Sequence, residues 1–181
     1  EYRFKEIKKW CDGNRDNFTI IWVGDLWERA TFMRGMDNIL LDIILHPEFV
    51  HELLAGLTEH ITTTMQILFE CGQFDCIAVS DDYGTQKGML MSPGHWREFI
   101  KPQLEKIYSM ARDNGRKTFH HSCGNIQEII PDFIELGLDI LHPIQPEAMD
   151  IVKTKQQFGD KLTFCGGIPT QSVLPDGTPD Q

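Results

Sequence analysis

The chain has 181 residues, 41% of them hydrophobic, which is enough for one sizeable core and hardly for two. Lys plus Arg number 17 against 27 Asp plus Glu, and the resulting formal net charge of -10, with no basic cluster to offset it, argues against nucleic acid and membrane surfaces as partners. The longest apolar stretches, such as 39–45, stop far short of the ~18 to 20 residues that a membrane span requires.

An amphipathic stretch over 2–10 opens the chain, and then one pattern repeats. A short β-branched apolar run is followed by small or polar residues and by a longer helical stretch closed by glycine. The runs are 18–23, 76–80, 118–122, 138–142 and 162–165, each about the length of a strand. The helical stretches are 47–71, with an apolar stripe at Phe49, Leu53, Leu57 and Ile61, then 93–114, 126–136 and 151–158. Ser92-Pro93 has the form of an N-cap with proline at the first helical position, and Gly72, Gly115, Gly137 and Gly159 have the form of helix stops. Strands separated by helices are parallel neighbours joined by right-handed crossovers, so the spacing predicts an α/β barrel or an open doubly wound sheet. A closed barrel usually takes ~250 residues. A glycine-rich phosphate loop, the mark of many open sheets, is absent. The expectation is therefore a single domain over 1–181 carrying about five βα units of a larger barrel, with strands lacking at both ends. Its open edges would be left bare or covered by a second copy in a homo-oligomer.

Five cysteines, Cys11, Cys71, Cys76, Cys123 and Cys165, form neither an even set nor a dense framework. They read as free thiols in a reducing cytoplasm, where a functional cysteine serves as a metal ligand or a nucleophile.

In either parallel architecture a ligand meets the C-terminal ends of the strands. Those ends read Gly24-Asp25-Leu26-Trp27, Ser80-Asp81-Asp82-Tyr83-Gly84, His120-His121-Ser122-Cys123-Gly124, His142-Pro143-Ile144-Gln145 and Cys165-Gly166-Gly167. His121 and Cys123 carry the sharpest signal. Residues i and i+2 of a strand share a face, so an imidazole and a thiol stand side by side as half of a zinc site that keeps a position open for substrate. His120 points to the other face. Asp81 and Asp82 are consecutive, so only one of them can point inward; the alternative is a cap or turn carboxylate.

The run Phe119-His120-His121-Ser122-Cys123-Gly124-Asn125 resembles the His-x-Cys strand of the uroporphyrinogen decarboxylase superfamily, and in particular its zinc-dependent, cobalamin-linked methyltransferase branch. Gly24-Asp25-Leu26-Trp27 with Thr31-Phe32-Met33, Ser80 to Gly84 with Met91-Ser92-Pro93, and Leu162 to Ile168 with Leu174-Pro175 agree with it in order along nearly the whole chain. The resemblance implies a (β/α)8 TIM barrel of which this chain carries strands three to seven. It implies zinc on His121 and Cys123, and a corrinoid on a partner protein as methyl carrier. The small-molecule acceptor would be a thiol or a similar group. Asp82, ahead of Asp81, takes the pocket-facing place as a substrate-orienting or proton-handling carboxylate. By their place at the strand ends Asp25, Tyr83, His142 and Gln145 are candidate substrate contacts, with turn chemistry after Gly24 the alternative for Asp25. The family's second cysteine ligand belongs to a strand beyond Gln181, so Cys165, one strand too early, reads as a packed neighbour more than a ligand.

Two other readings remain open. A porphyrinogen decarboxylase would work without metal and needs arginines for a polyanionic tetrapyrrole; here Arg29 and Arg34 alone lie near a tip, and Phe32 stands where decarboxylases carry a tyrosine. A non-catalytic module binding a corrinoid or porphyrin is the third class.

Overall fold

Five strands form a wholly parallel sheet in the order β1-β2-β3-β4-β5, with each crossover made by helix. The architecture is a computed structural model in which residues 4–178 and 180 are described. The strands are β1 (Ile20–Asp25), β2 (Cys76–Ser80), β3 (Lys117–His121), β4 (Ile140–His142) and β5 (Thr163–Phe164). Helix α1 (Lys5–Gly13) precedes β1, and α2 (Trp27–Arg34), α3 (Met36–Leu45) and α4 (Pro47–Cys71) lead to β2. The next crossover is α5 (93–113), whose first turns, Pro93–His95, pass through a π-helical segment, Trp96–Ile100, into Lys101–Asp113. A 3-10 turn at Gln127–Ile129 opens α6 (Ile130–Glu135), followed by α7 (Ile151–Phe158) and, after β5, α8 (Val173–Asp176). Sequential strand order with helical crossovers is the arrangement of consecutive barrel units, as the sequence predicts. No helix among the described residues is long and apolar enough to cross a membrane.

The two faces of the sheet are built differently. Ile77, Val79 and Leu141 point to the helices and join a large core with Trp27, Leu54, Met65, Trp96, Phe99 and Phe133. The other face, which would line a barrel, holds Cys76, Ala78 and Phe119, flanked by Ile20 and Ile140. Trp22 meets Phe119 edge-on at 5.8 Å on this side and remains 54% exposed. Strand register stacks these residues in layers: Trp22 opposite Ala78, Ala78 opposite Phe119, and above them Ser80 opposite His121 and His121 opposite His142. A register irregularity between Trp22 and Gly24 lets Asp25 come level with Ser80.

Ser92 caps α5 as the sequence predicts, its Oγ accepting the His95 N–H at 3.1 Å. Two expectations need correction. The repeating pattern places no helix between the first strand and residue 47, where α2 and α3 lie. In α4 the buried stripe is Val50, Leu54, Thr58, Ile61, Met65 and Leu68, while Phe49 is exposed. The helix is therefore rotated by about one position from the predicted face, and Leu57 lines a groove with Trp22 beside the edge strand β1.

Candidate metal centre

The segments that leave β2 and β3 continue side by side past the last paired residues. Asp81 N–H donates to the His121 carbonyl at 2.9 Å, Tyr83 N–H to Ser122 Oγ at 3.0 Å, and Asn125 N–H to the Thr85 carbonyl at 2.7 Å. Gly84 and Gly124 make this approach feasible. A Cβ on Gly84 would stand 2.6 Å from the Asn125 nitrogen, and Gly124, at φ +79°, would place one against the Gly84 backbone. The two loops are thereby locked so that Asp82 faces Cys123, whose N–H donates to Asp82 Oδ1 at 2.6 Å.

Asp82, His121 and Cys123 form a cluster whose ligand atoms all lie within 4.8 Å of one another. His121 Nε2 is 3.4 Å from Cys123 Sγ and 3.5 Å from Asp82 Oδ1. A tetrahedral zinc ion bonded at the usual lengths separates its nitrogen, sulfur and oxygen ligands by about 3.4 to 3.6 Å, so the two distances from the imidazole match such a site. Asp82 and His121 are partly open, at 37% and 23% side-chain exposure, which leaves room for a further ligand. Burial, followed by the negative charge of Asp82, pushes the Cys123 thiol up to about 11, so that a cation at this point would be the group that favours the thiolate. His121 Nδ1 meets His142 Nδ1 at 2.8 Å, and the His142 ring packs on Phe119 at 5.4 Å between centroids. Burial lowers the His142 pKa, and the neighbouring His121 adds to the effect.

Several residues expected at the ligand turn elsewhere. Asp81 is fully buried on the helix side, where Oδ1 accepts the N–H groups of Leu26 and Glu28, both at 2.9 Å, and Oδ2 accepts the Tyr83 hydroxyl at 3.0 Å. It holds the first turn of α2, so the cap reading applies, though to a helix distant in sequence. Burial raises its pKa well above the carboxylate range. Tyr83 is likewise buried and faces the helices. Gln145 uses both ends of its amide, accepting the Gly124 N–H at 2.5 Å and donating to Thr170 Oγ1 at 3.1 Å, so it is buried as a brace of the β3 loop. Asp25 stands at the tip, paired with Arg29 at 2.9 Å. Cys165 is exposed and lies outside the cluster, contrary to the expectation of a packed thiol, because it follows the last residue of the edge strand β5.

Glu28 escaped the sequence reading. Its carboxylate accepts the Ser80 hydroxyl at 3.0 Å and adds negative charge near Cys123. A glutamate in the first turn of a helix ordinarily reads as complementing the helix dipole, and only the tertiary cap from Asp81 turns this one toward the strand tips.

With the geometry in place, comparisons with known proteins give it a family. A methylated-thiol--coenzyme M methyltransferase of Methanosarcina mazei is 20% identical over 152 residues, which is 84% of this chain and 39% of that protein. A solved methyltransferase from Methanosarcina mazei superposes with a TM-score of 0.65 at 24% identity, covering 81% of this chain and 42% of the other, a likeness of fold. The chain thus spans about two-fifths of the length of these relatives. The model of the uroporphyrinogen decarboxylase (URO-D) family matches residues 20–181, from the first residue of β1 onward, and the chain belongs to that family.

Proposed function

We propose that this chain carries the metal-binding part of a zinc-dependent methyltransferase that moves a methyl group between a corrinoid, held by a partner protein, and a thiol or similar small acceptor. The observation that carries the reading is the nitrogen, sulfur and oxygen donor set of His121, Cys123 and Asp82 at ligand spacing on the strand tips. The name of the Methanosarcina relative, a methyltransferase acting on methylated thiols, supports the same class. In this reading Cys123 and His121 are ligands, and Asp82 is the third ligand that this segment itself supplies. Zinc, when bound, would lower the pKa of an acceptor thiol so that it is nucleophilic at neutral pH. The chain's own residues fix the geometry: the Gly84–Gly124 crossing sets the Asp82 to Cys123 spacing, and the Gln145 brace holds the loop that carries Cys123.

The decarboxylase reading finds less support. Arg29 is paired with Asp25, and Arg34 with the buried Asp42 at 2.6 Å, so both arginines near the tips are already committed to carboxylates. The deciding experiment is metal analysis together with methyl transfer to a thiol from a methylated corrinoid, in the full chain and in Cys123→Ala. Near-stoichiometric zinc in the parent, lost with activity in the variant, is the expected result. Zinc retained by Cys123→Ala would remove the metal assignment. Release of carbon dioxide from a porphyrinogen by metal-free protein would replace the reaction class.

A further inference from the structure

We propose that His142 is a positioning residue for His121: it accepts the Nδ1–H of His121 and so fixes the tautomer that turns an unprotonated Nε2 toward Cys123 and Asp82. The inference deepens the metal reading of the same site, and its first readout needs no metal. A neutral imidazole carries one N–H and one lone pair, so a hydrogen bond between two Nδ1 atoms requires that one ring hold its proton there and the other not. The two Nδ1 atoms are 2.8 Å apart, a full hydrogen bond.

The surroundings of Nε2 decide which ring donates. If His142 donated, His121 would carry its proton on Nε2. Its nearest acceptors would be the Cys123 sulfur at 3.4 Å, a weak acceptor, and Asp82 Oδ1 at 3.5 Å, beyond good N–H···O length and already taking the Cys123 N–H at 2.6 Å. If His121 donates, its Nε2 lone pair faces the Cys123 sulfur at 3.4 Å and can accept the thiol hydrogen. The second arrangement pairs the thiol hydrogen with a ring-nitrogen lone pair, a better acceptor than the thiol sulfur that the first would offer to an N–H. It is also the only one open to a neutral His121 whose Nε2 serves as a ligand, since a metal on Nε2 and an accepted bond on Nδ1 would demand loss of the ring's last proton. Strand register sustains the contact: His142 is the direct cross-strand partner of His121, and its ring is steadied against Phe119. Asparagine at this position would place its Oδ1 where the imidazole has Nδ1, whereas phenylalanine keeps the stacking and removes the acceptor.

Nitrogen NMR of the histidine rings tests the tautomer, and competition with a chromophoric chelator measures zinc affinity, both on the full chain, with circular dichroism as the check on folding. The expected result is an Nδ1–H tautomer for His121 in the parent, lost in His142→Phe and kept in His142→Asn. Zinc affinity should fall about 10- to 100-fold in His142→Phe and recover most of that loss in His142→Asn. An Nε2–H tautomer in the parent overturns the inference, and so does equal weakening in both variants, which would assign His142 to packing alone. Zinc bound as tightly by a folded His142→Phe as by the parent overturns it while the metal reading stands. A parent chain that shows the Nδ1–H tautomer, loses it in His142→Phe and binds no zinc supports the inference and removes the metal reading.

Discussion

The two faces of β2 and β3 use the same residue types one position apart and give them opposite lives. On the helix side, Asp81, Tyr83, His120 and Ser122 are all fully buried, and Asp81, Tyr83 and Ser122 are joined by hydrogen bonds to one another or to backbone. His120 Nδ1 bonds the Tyr108 hydroxyl at 2.7 Å inside a cage of Tyr83, Tyr108 and Phe133 rings. On the inner side, Ser80, Asp82, His121 and Cys123 are partly open, and the last three converge on one point. The pleat of the strands, more than residue chemistry, separates a structural Asp–His set from a reactive one. A strand tip rich in Asp and His is therefore two sites back to back, one for stability and one open to a ligand.

Exchanging the roles of Asp81 and Asp82 by mutation should break that comparison most sharply. Asp81→Ala strands three donors, the N–H groups of Leu26 and Glu28 and the Tyr83 hydroxyl, in a buried place. At about 1 to 3 kcal/mol for each unmade buried bond, the loss should be several kcal/mol in urea unfolding and should begin at α2. Asp82→Ala strands one N–H, that of Cys123, at a site where water can reach it. Its stability cost should be about 1 kcal/mol or less, while zinc binding is lost. A larger stability loss in Asp82→Ala than in Asp81→Ala would refute the division of the two faces.

The pH dependence of stability sharpens the same contrast. Burial, with a smaller contribution from His121, lowers His120 to about 3 from a usual value of 6.5. The unfolded chain therefore takes up a proton at this position below pH 6.5 that the folded chain refuses until about pH 3, and the contribution of His120 to stability falls as the pH drops through that window. Asp81 works with the opposite sign, because its raised pKa lets the folded state keep a proton that the unfolded state releases above its ordinary value. Comparing the parent with His120→Asn cancels the Asp81 contribution. The parent should lose stability more steeply between pH 6 and 4, by up to about 1.4 kcal/mol per pH unit, in urea titrations at fixed temperature. Parallel profiles would mean that His120 is hydrated in the folded state.

Much of this arrangement is legible in the sequence where the signal is local. β2 and helices α4 and α7 fall on their predicted residues, because a β-branched run, a proline start and a closing glycine are each written within a few positions. The alternation that separates His120 from His121 is equally local. Helix α3 was missed because apolar residues occupy most of its positions, so no period stands out; Leu41, Ile44 and Leu45 remain exposed. Helix α2 was missed because Phe32 and Met33 face outward and blur its stripe. At the site, the His-x-Cys pair announces itself, but Glu28 and the pairing of His142 with His121 arise from contacts 52 and 21 residues apart, and no spacing rule encodes them. The fates of Asp81, Tyr83 and Gln145 belong to the same class: each is fixed by partners that fold brings in from other units.

The smallest expected effect concerns the edge of the sheet. Cys165 follows the short strand β5, donates its N–H to the Leu141 carbonyl at 2.9 Å and leaves its thiol exposed. A packed cysteine there would cost about 1 kcal/mol on truncation. An exposed one should change stability by no more than about 0.5 kcal/mol, and since the thiol stands apart from the cluster of Asp82, His121 and Cys123, zinc content should be unchanged in Cys165→Ala. The backbone gives the test its force. Gly166 and Gly167, at φ +120° and +92°, set the turn that follows, and a Cβ on Gly166 would come 3.1 Å from the Ile144 nitrogen, so the segment is packed against the β4 loop, close to the strand that carries His142. Zinc lost in Cys165→Ala would show that this turn swings the thiol inward on metal binding and that the site closes through β5. Zinc retained there and lost in Cys123→Ala would confine the protein ligands of this segment to the tips of β2 and β3.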